Sequence, residues 1–355
     1  MESAPLVAAT EKGLYCPAGD FFIDPWGAVR RAVITHAHAD HARPGSAHYL
    51  TTNSGRQLLQ LRLGPNAVVE GLAYGQRVTL GPVQLSLHPA GHILGSAQVR
   101  LEHRGQICVV SGDYKTTRNE TAEPFEPLRC HHFISECTFG LPIFRWPTDA
   151  EVFEQIHDWW KTEQARGRSC IVFAYSLGKA QRILAGLDAS IGPVLGHGAV
   201  MRLIPAYQLQ GIALPEIAYA GLEQAKATRG RALVIAPPSA AGSPWIRKFG
   251  PVSLGMASGW MRIRGLRRRK GLDCGFVLSD HADWRGLNEA IAATGAERVW
   301  LTHGSTAPMK RWLHEHGLNA GEIATQFHGE TDEPDPVIDL AAADDATPPI
   351  SPEAP

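Results

Sequence analysis

The strongest chemical signal in the chain is a group of three histidines and one aspartate within six residues. They lie in the run Thr35-His36-Ala37-His38-Ala39-Asp40-His41, directly after a short apolar stretch. Because alternate side chains of a strand point to opposite faces, this run must wrap as a loop before its side chains can meet. A bound metal is the ordinary reason for such a loop. Imidazole and carboxylate donors without thiolates favour Zn²⁺ or Mn²⁺, and the alternative is a surface cluster of histidines.

Three more residues of ligand type stand at the ends of predicted strands. His92 follows Ala90-Gly91, Asp113 follows Ser111-Gly112, and His303 precedes Gly304. Taken singly, each fits an ordinary turn or surface residue.

The elements that must position these residues are short strands in the first 140 residues. Alternating or β-branched runs, broken by Gly and Pro, predict strands at residues 32–35, 83–88, 97–102, 107–111 and 132–135. A helix is predicted over residues 53–63, ended by Gly64 and Pro65.

From Thr148 the pattern changes to alternating strands and helices. Thr148 is a good N-cap for a helix to about residue 166, and a strand at 170–174 leads to a helix near Gly178. Further strands are predicted at 232–236, 275–278 and 298–301, and helices at 284–293 and 308–316, with the last part of the chain rejoining the first sheet. Beyond about Thr331 the chain is acidic and rich in Pro and Ala, which predicts a disordered tail.

Composition limits the class of protein only broadly. The 355 residues are 44% hydrophobic with a formal net charge of -1, which describes a globular protein without a global attraction for nucleic acid. The six cysteines contain no CxxC pair, which argues against a disulfide framework or a cysteine zinc site and favours a reducing cytoplasm. Neither an export signal nor a membrane span is recognisable, so no membrane partner is expected.

The run from His36 to His41, together with the three later residues, resembles the metallo-β-lactamase superfamily. The resemblance implies an αβ/βα sandwich with two divalent metal ions, Zn²⁺ favoured over Mn²⁺. One ion would be bound by His36, His38 and His92, the other by Asp40, His41 and His303, and Asp113 would bridge them. Asp24 matches an acid that orients the ligand histidines by accepting their free ring protons.

The middle of the chain is similar to the β-CASP branch of that superfamily. Glu136, in Ser-Glu-Cys-Thr-Phe-Gly, resembles its motif A, although Cys137 stands where Ser or Ala is common, and His281, in Ser-Asp-His-Ala-Asp, resembles motif B. The resemblance implies an inserted α/β cap over residues 147–272, a catalytic domain formed by 1–146 and 273–330, and a tail over 331–355. It also implies phosphodiester hydrolysis, with Asp40, His281 and Glu136 as catalytic residues. A purely structural pair of Glu136 and His281 is the alternative.

A basic segment at the end of the cap is the expected nucleic-acid contact. Such a segment can follow phosphates, with an aromatic ring to stack a base, although a charge run can also be a solvated face. Lys179, at a predicted helix start, could meet phosphate there. The full predicted contact set is Lys179, Ser258, Trp260, Arg262, Arg264, Arg267, Arg268 and Arg269.

Within the β-CASP branch the chain is most similar to the bacterial ligase-associated DNA exonucleases. That similarity implies a DNA repair exonuclease acting with an ATP-dependent DNA ligase and a helicase. His303, however, is typical of RNA-processing members, so a ribonuclease of the 3′-end-processing type stays open, with DNA favoured over RNA. A small-molecule metallohydrolase is a weaker alternative because it needs neither the cap nor Glu136 and His281.

Overall fold

The first sheet of the protein brings the histidine-rich run to the end of a central strand. In this computed structural model, which describes residues 5–263, 265 and 271–324, six strands lie side by side in chain order. The first two pairs are antiparallel and the remaining ones parallel. The strands are β1 (Ala8–Thr10), β2 (Gly13–Cys16), β3 (Phe21–Ile23), β4 (Arg31–Val33), β5 (His48–Thr52) and β6 (Val69–Leu72), with helix α1 (Arg56–Leu63) between the last two.

The second sheet begins as an antiparallel meander and then turns parallel. The meander joins the first four of its strands, and the fifth pairs in parallel with the fourth. These strands are β7 (Arg77–Leu80), β8 (Val83–Pro89), β9 (Ala97–His103), β10 (Gln106–Val110) and β11 (His132–Cys137).

The chain then builds a separate parallel sheet before it returns. This middle sheet has the strand order β14-β13-β15-β12-β16-β17, and every pair is parallel. Its strands are β12 (Ser169–Phe173), β13 (Val194–Gly196), β14 (Ala218–Tyr219), β15 (Leu233–Ala236), β16 (Val252–Ala257) and β17 (Cys274–Phe276). Its helices are α2 (Asp149–Ala165), α3 (Lys179–Gly186), α4 (Gly198–Met201), α5 (Ile204–Leu209) and α6 (Leu222–Ala227), with 3₁₀ turns at Pro238–Ala240, Pro244–Phe249 and Gly259–Arg262.

The returning segment completes the second sheet. Helix α7 (Trp284–Thr294) leads to β18 (Arg298–Gly304), and α8 (Thr306–Glu315) leads to β19 (Asn319–Glu322). Strand β18 pairs in parallel with β11, and β19 pairs in parallel with β18. The last part of the chain was predicted to rejoin the first sheet, but it joins the second, because β18 pairs with β11.

Buried side chains show how these parts are layered. One apolar cluster joins Phe21 and Val33 of the first sheet to Leu85 and Val110 of the second, so these two sheets pack face to face. Another cluster covers the outer face of the second sheet with α7 and α8, and a third covers the first sheet with α1. The order is thus helix, sheet, sheet, helix. The middle sheet has its own two clusters, one on each face.

Most predicted elements lie within a few residues of the observed ones. The helix predicted from Thr148 is correct, since Thr148 accepts a hydrogen bond from the Glu151 amide while the Glu151 side chain accepts from the Thr148 amide. One boundary is wrong. Residues 274–276 were predicted to lie in the catalytic domain, but β17 pairs with β16 and so belongs to the middle sheet.

The described residues contain no helix that combines the length and the apolar character needed to cross a membrane. The tail predicted over residues 331–355 lies outside the described residues. All six cysteines carry free thiols.

Candidate metal centre

The predicted ligands arrive at the carboxyl ends of neighbouring strands. Strands β10, β11 and β18 run parallel in one sheet, so the residues that end them meet at a single edge. Asp113 follows β10, Glu136 lies near the end of β11, and His303 lies near the end of β18. The loop after β4 brings His36 to the same place from the facing sheet.

Two glycines permit the close approach of the loops. A Cβ atom on Gly91 would lie 2.2 Å from the carbonyl oxygen of Lys115, and one on Gly112 would lie 2.7 Å from the Thr35 side chain. Both residues also have positive φ angles, 76° and 56°. Glycine is therefore required directly before His92 and Asp113.

Among the described residues, the donor atoms form three groups that share the Asp113 carboxylate, and the third is completed by Glu136 and His281. His36, His38, His92 and Asp113 offer donors within 4.8 Å of one another, and so do His41, Asp113 and His303. The first two groups bring together six of the seven residues that the family resemblance implied as ligands, and Asp113 is common to both.

Asp40 is the one implied ligand outside these groups. Its Oδ2 lies 3.6 Å from Nε2 of His41, and its side chain is 30% exposed. It borders the second group without belonging to it.

Distances from Asp113 to the histidines of both groups have the size expected for two ligands that share an ion. The Asp113 Oδ2 atom lies 3.6 Å from Nε2 of His36, 3.4 Å from Nε2 of His41 and 3.8 Å from Nε2 of His92. Ligands held about 2.1 Å from a tetrahedral ion lie about 3.4 Å from each other. Furthermore, the buried Nε2 atoms of His36 and His41 have no hydrogen-bond partner. The side chains therefore fit divalent metal ions of the size of Zn²⁺.

The second nitrogen of each of three histidines is held by the protein. The rings of His38 and His92 contact the carbonyl oxygens of Leu177 at 3.1 Å and Asp280 at 2.8 Å. Nδ1 of His41 contacts the Asp24 carboxylate at 2.7 Å. Such contacts fix the ring orientation. The remaining nitrogens of His38 and His92 face each other at 3.1 Å, close enough to bind one ion together.

Asp24 lies where an orienting acid is needed. Besides contacting His41, it accepts hydrogen bonds from the backbone amide of Thr35 at 2.8 Å and from the Thr35 hydroxyl at 2.5 Å. It has a positive φ angle of 44°, which is unusual outside glycine. The loop is thus anchored at its first residue.

Electrostatics keep most of the ligand histidines neutral. Burial lowers the pKa of His36, His38, His92 and His303. For His41, burial also opposes the charged form, but the neighbouring carboxylates of Asp113, Asp40 and Asp24 outweigh it and raise its pKa. Neutral imidazole is the form that binds a metal.

A β-bulge directs His303 into the site. Glu136 pairs with Thr302 and Cys137 with Gly304, which leaves His303 as the extra residue between them. Its φ angle is 55°, and its carbonyl accepts a hydrogen bond from the Cys137 thiol at 3.0 Å. Bulges of this kind re-aim a side chain beside a functional site.

Glu136 and His281 form a buried pair at the edge of the metal cluster. Nδ1 of His281 lies 2.8 Å and 3.0 Å from the two carboxylate oxygens, and the His281 ring centroid lies 4.6 Å from that of His92. The carboxylate also accepts from the amides of Tyr114 and Thr138. Nδ1 therefore carries a proton that the carboxylate accepts.

The prediction for Lys179 is wrong, because this residue is completely buried. Its ammonium lies 3.6 Å from the Asp280 carboxylate, inside the protein, where a phosphate of a surface-bound strand cannot reach it. Arg182 donates to the same carboxylate at 3.0 Å and to Asp149 at 2.5 Å. The three buried charges form a network that supports the loop carrying His281.

The other predicted nucleic-acid contacts divide into two sets. Ser258 is buried and accepts from the amide of Trp260, whose ring packs against Phe139 at 5.1 Å. Arg262 is exposed, although it donates to the Ile143 carbonyl. Among the predicted contacts that lie within the described residues, Arg262 is therefore the one that places a charge at the protein surface. The remaining predicted contacts, Arg264, Arg267, Arg268 and Arg269, lie outside the described residues.

Sequence reasoning missed Asp280 and Arg182. Asp280 contributes a carbonyl to His92 and a carboxylate to Lys179. Its position next to His281 was a signal, but nothing in the sequence pairs it with Arg182, 98 residues earlier.

Several known proteins are similar to this chain, and each is matched over only part of its own length. It is 34% identical over 314 residues to a "Probable DNA ligase" of Opitutus terrae, which covers 88% of this chain and 30% of that protein. It is 28% identical to "Transcription termination factor FttA" of Pyrococcus abyssi, over 47% of this chain and 32% of that one. It is also 27% identical to "Endoribonuclease YSH1" of Saccharomyces cerevisiae, over 34% of this chain and 15% of that one. The chain therefore spans about a third or less of these relatives.

Structural comparison supports the fold alone. A crystal structure of a protein of unknown function from Enterococcus faecalis superposes with a TM-score of 0.56 at 13% identity, covering 82% of this chain and 79% of the other. No family profile matches the chain.

The fold and the site together define a mixed α/β protein with histidine and aspartate clusters that could hold metal ions. The relatives confirm the resemblance seen in the sequence. The relatives of this chain include nucleases of the β-CASP type.

Proposed function

We propose that the chain is a metal-dependent nuclease, and specifically a DNA exonuclease of DNA repair. The observation that carries the proposal is the shared position of Asp113 between two histidine groups, with the His281 and Glu136 pair directly beside them. Two ion sites joined by a carboxylate suit the displacement of an oxygen from phosphorus.

In this proposal the two packed sheets form the metallo-β-lactamase sandwich, and the middle sheet forms the β-CASP cap. The cap begins near Pro147 and extends to β17, and the segment after it returns to the sandwich. The carboxyl edge of the sandwich strands then faces the cap, which supplies the Leu177 carbonyl to His38. An inserted unit at this edge favours a polymer over a small molecule as substrate.

When bound, two Zn²⁺ or Mn²⁺ ions would polarise the phosphoryl oxygen and stabilise the negative charge that develops on it. His36, His38 and His92 would hold one ion and His41 and His303 the other. Asp113 would help to hold both ions, and Asp40 borders the residues that would hold the second.

His281 would act on the leaving oxygen. Because Glu136 accepts the Nδ1 proton at 2.8 Å, a protonated ring carries its second proton on Nε2 and can donate it there. Burial of both residues keeps water from competing for Glu136. Glu136 therefore positions His281 and stabilises its charged form.

DNA is favoured by the relative that matches most of this chain. In that protein, named a probable DNA ligase, the matching region occupies 30% of a longer polypeptide, which favours a shared substrate for the two activities. A shared substrate would make an ATP-dependent DNA ligase a partner of this chain, and the family resemblance implies a helicase as a further partner.

RNA is the second candidate, and two observations favour it. Relatives named as ribonucleases match parts of the chain, among them "RNase aCSPSF2" of Saccharolobus solfataricus at 26% identity. In addition, the residue at the β18 bulge is histidine, which is typical of RNA-processing members.

The test is cleavage of end-labelled single-stranded DNA and RNA of one sequence, with Zn²⁺ or Mn²⁺ added. His281→Ala serves as the inactive control. We expect a ladder from one end of the DNA that the control does not produce. Cleavage of RNA alone would assign the chain to RNA processing, and cleavage of neither would overturn the nuclease proposal in favour of a small-molecule hydrolase.

A further inference from the structure

A narrow depression opens beside the second donor group of the metal centre. Two members of that group, His41 and His303, line it together with the neighbouring Asp40. Leu14 and Trp26 also line it. Its volume of about 40 Å³ leaves room for a few water molecules but not for a nucleotide base. A strand bound at the metal centre would therefore lie across the mouth of this depression.

The charges around the depression decide which part of a nucleotide it can hold. Among the described residues that line it, none is a lysine or an arginine, whereas Asp24 and Asp40 carry carboxylates. Several others, such as Ile23 and Val110, are apolar. A phosphate here would have to be held by the metal ions, because the protein offers it carboxylates and apolar surface. A base is the part of a nucleotide that suits such a surface.

Trp26 supplies a flat surface of the size of a base. The residue is half-buried, so it keeps an accessible surface next to the metal ligands. Leu14 is also half-buried and extends the apolar surface. Bases stack on aromatic side chains in proteins that bind single strands, and the contact tolerates any sequence because every base has a π face.

The position of Trp26 is fixed by the loop that orients a ligand. Asp24, two residues earlier, contacts Nδ1 of His41 at 2.7 Å. The backbone amide of Trp26 donates to the Lys12 carbonyl at 2.9 Å. A Cβ atom on Gly13, where φ is 114°, would lie 3.5 Å from the amide nitrogen of Trp26, so the two turns are in contact. An aromatic ring held in this way is ordered before a strand binds, which lowers the entropy cost of binding.

We propose that Trp26 stacks one base of the substrate strand, that of the nucleotide whose phosphate lies at the second ion. The inference rests on the proposed nuclease function, because that function places a phosphate at the metal centre. The contact grips the strand from the sandwich side without reading its sequence. It is separate from the basic segment at the end of the cap.

The test is binding of end-labelled single-stranded DNA to the metal-loaded protein, measured by fluorescence anisotropy. Every variant carries His281→Ala so that the strand is not cleaved. A strand of the same length whose units all lack bases is measured in parallel. We expect Trp26→Ala to weaken binding of the complete strand roughly tenfold and that of the base-free strand by less than about twofold. Trp26→Phe keeps an aromatic face and should retain most of the affinity.

Trp312→Ala is the matched control. It removes another half-buried indole, on α8 in the outer helix layer, and should bind both strands like the unchanged protein. Undiminished affinity of Trp26→Ala for the complete strand would overturn the proposal. Equal losses for the two strands would also overturn it, because the ring would then act on the shape of the site. If Trp26→Ala does not fold, Trp26→Leu keeps an apolar side chain without the flat ring and should show the same selective loss.

Cleavage by the protein with His281 intact separates this inference from the proposed function. Binding that depends on both Trp26 and the bases, without any cleavage, would refute the nuclease proposal alone. Cleavage together with binding that does not depend on Trp26 would refute the stacking contact alone. A protein that binds neither strand would refute both.

Discussion

Replacing Asp280 by Asn should destabilise the protein strongly, because Asp280 is the negative centre of a buried charge network. Its carboxylate is 3% exposed and lies 3.6 Å from Lys179 and 3.0 Å from Arg182, which are 0% and 4% exposed. Asn preserves the shape and an acceptor oxygen for Arg182, but removes the charge.

The size of this stability loss follows from two opposing contributions to the free energy of unfolding. At an effective dielectric constant of about 20, each contact at these distances is worth about 5 kcal/mol of attraction. Most of this is offset by the desolvation of the ions, which costs several kcal/mol each. Removing one partner leaves the desolvation of the cations uncompensated, and such losses are about 3–5 kcal/mol. Because Arg182 keeps its ion pair with Asp149, we expect Asp280→Asn to lower the free energy of unfolding by about 3 kcal/mol, at the lower end of this range.

The assay is urea unfolding of the metal-loaded protein, followed by tryptophan fluorescence. Asp158→Asn, an exposed carboxylate on α2, is the matched control and should change the free energy of unfolding by less than about 0.5 kcal/mol. Adding Lys179→Met to Asp280→Asn should restore part of the loss, because the buried ammonium is then removed. A loss below about 1 kcal/mol for Asp280→Asn would refute the reasoning.

The pH dependence of the free energy of unfolding gives a second check on the role of Asp280. Burial opposes ionisation of Asp280, but the charges of Lys179 and Arg182 outweigh it and hold the pKa of the carboxyl well below its ordinary value. The carboxylate therefore stabilises the fold fully above about pH 4, and this contribution is lost as the pH falls toward the lower folded-state pKa. The stability difference between the unchanged protein and Asp280→Asn should narrow below pH 4 and stay constant above it.

Four further outcomes are expected. Removing metal with a chelator should lower the melting temperature by at least about 5 °C, because ions at about 1,000 times their dissociation constant add about 4 kcal/mol to the free energy of unfolding. A melting temperature that the chelator does not change would contradict a bound metal. His36→Ala should lower cleavage at least about 100-fold with an unaltered circular dichroism spectrum, and full activity would contradict its assignment as a ligand. Glu136→Gln should lower kcat by roughly 100-fold with little change in KM, and an equal effect on KM would indicate a substrate contact instead. Replacing Arg267, Arg268 and Arg269 together by Ala should reduce the logarithmic salt slope of single-strand binding by about 2, and an unchanged slope would show that they contact no phosphate.

The sequence by itself determined the local elements and the residue types of the site. Thr148 specifies its helix because its cap contacts are only three residues apart, and the run from His36 to His41 concentrates four donors within one loop. Such signals are short-range, so they can be recognised without knowing which strands are neighbours.

Only the tertiary structure decided how distant segments pair. The sequence predicted a strand near residue 275, but its alignment with β16 depends on contacts with residues 252–257 and places it in the middle sheet. The bulge that turns His303 inward exists only because β18 lies beside β11. Neither feature has a local signal.

Burial was decided in the same way. Lys179 and Lys115 have the charge of surface residues, yet one is enclosed with a carboxylate and the other borders a cavity between two units of the fold. Whether a lysine meets water, a carboxylate or a ligand depends on packing between segments that are distant in the chain, such as Lys179 and Asp280. The physical reason is that a sequence pattern records each residue's own preference, while the electrostatic environment belongs to all the segments that surround it.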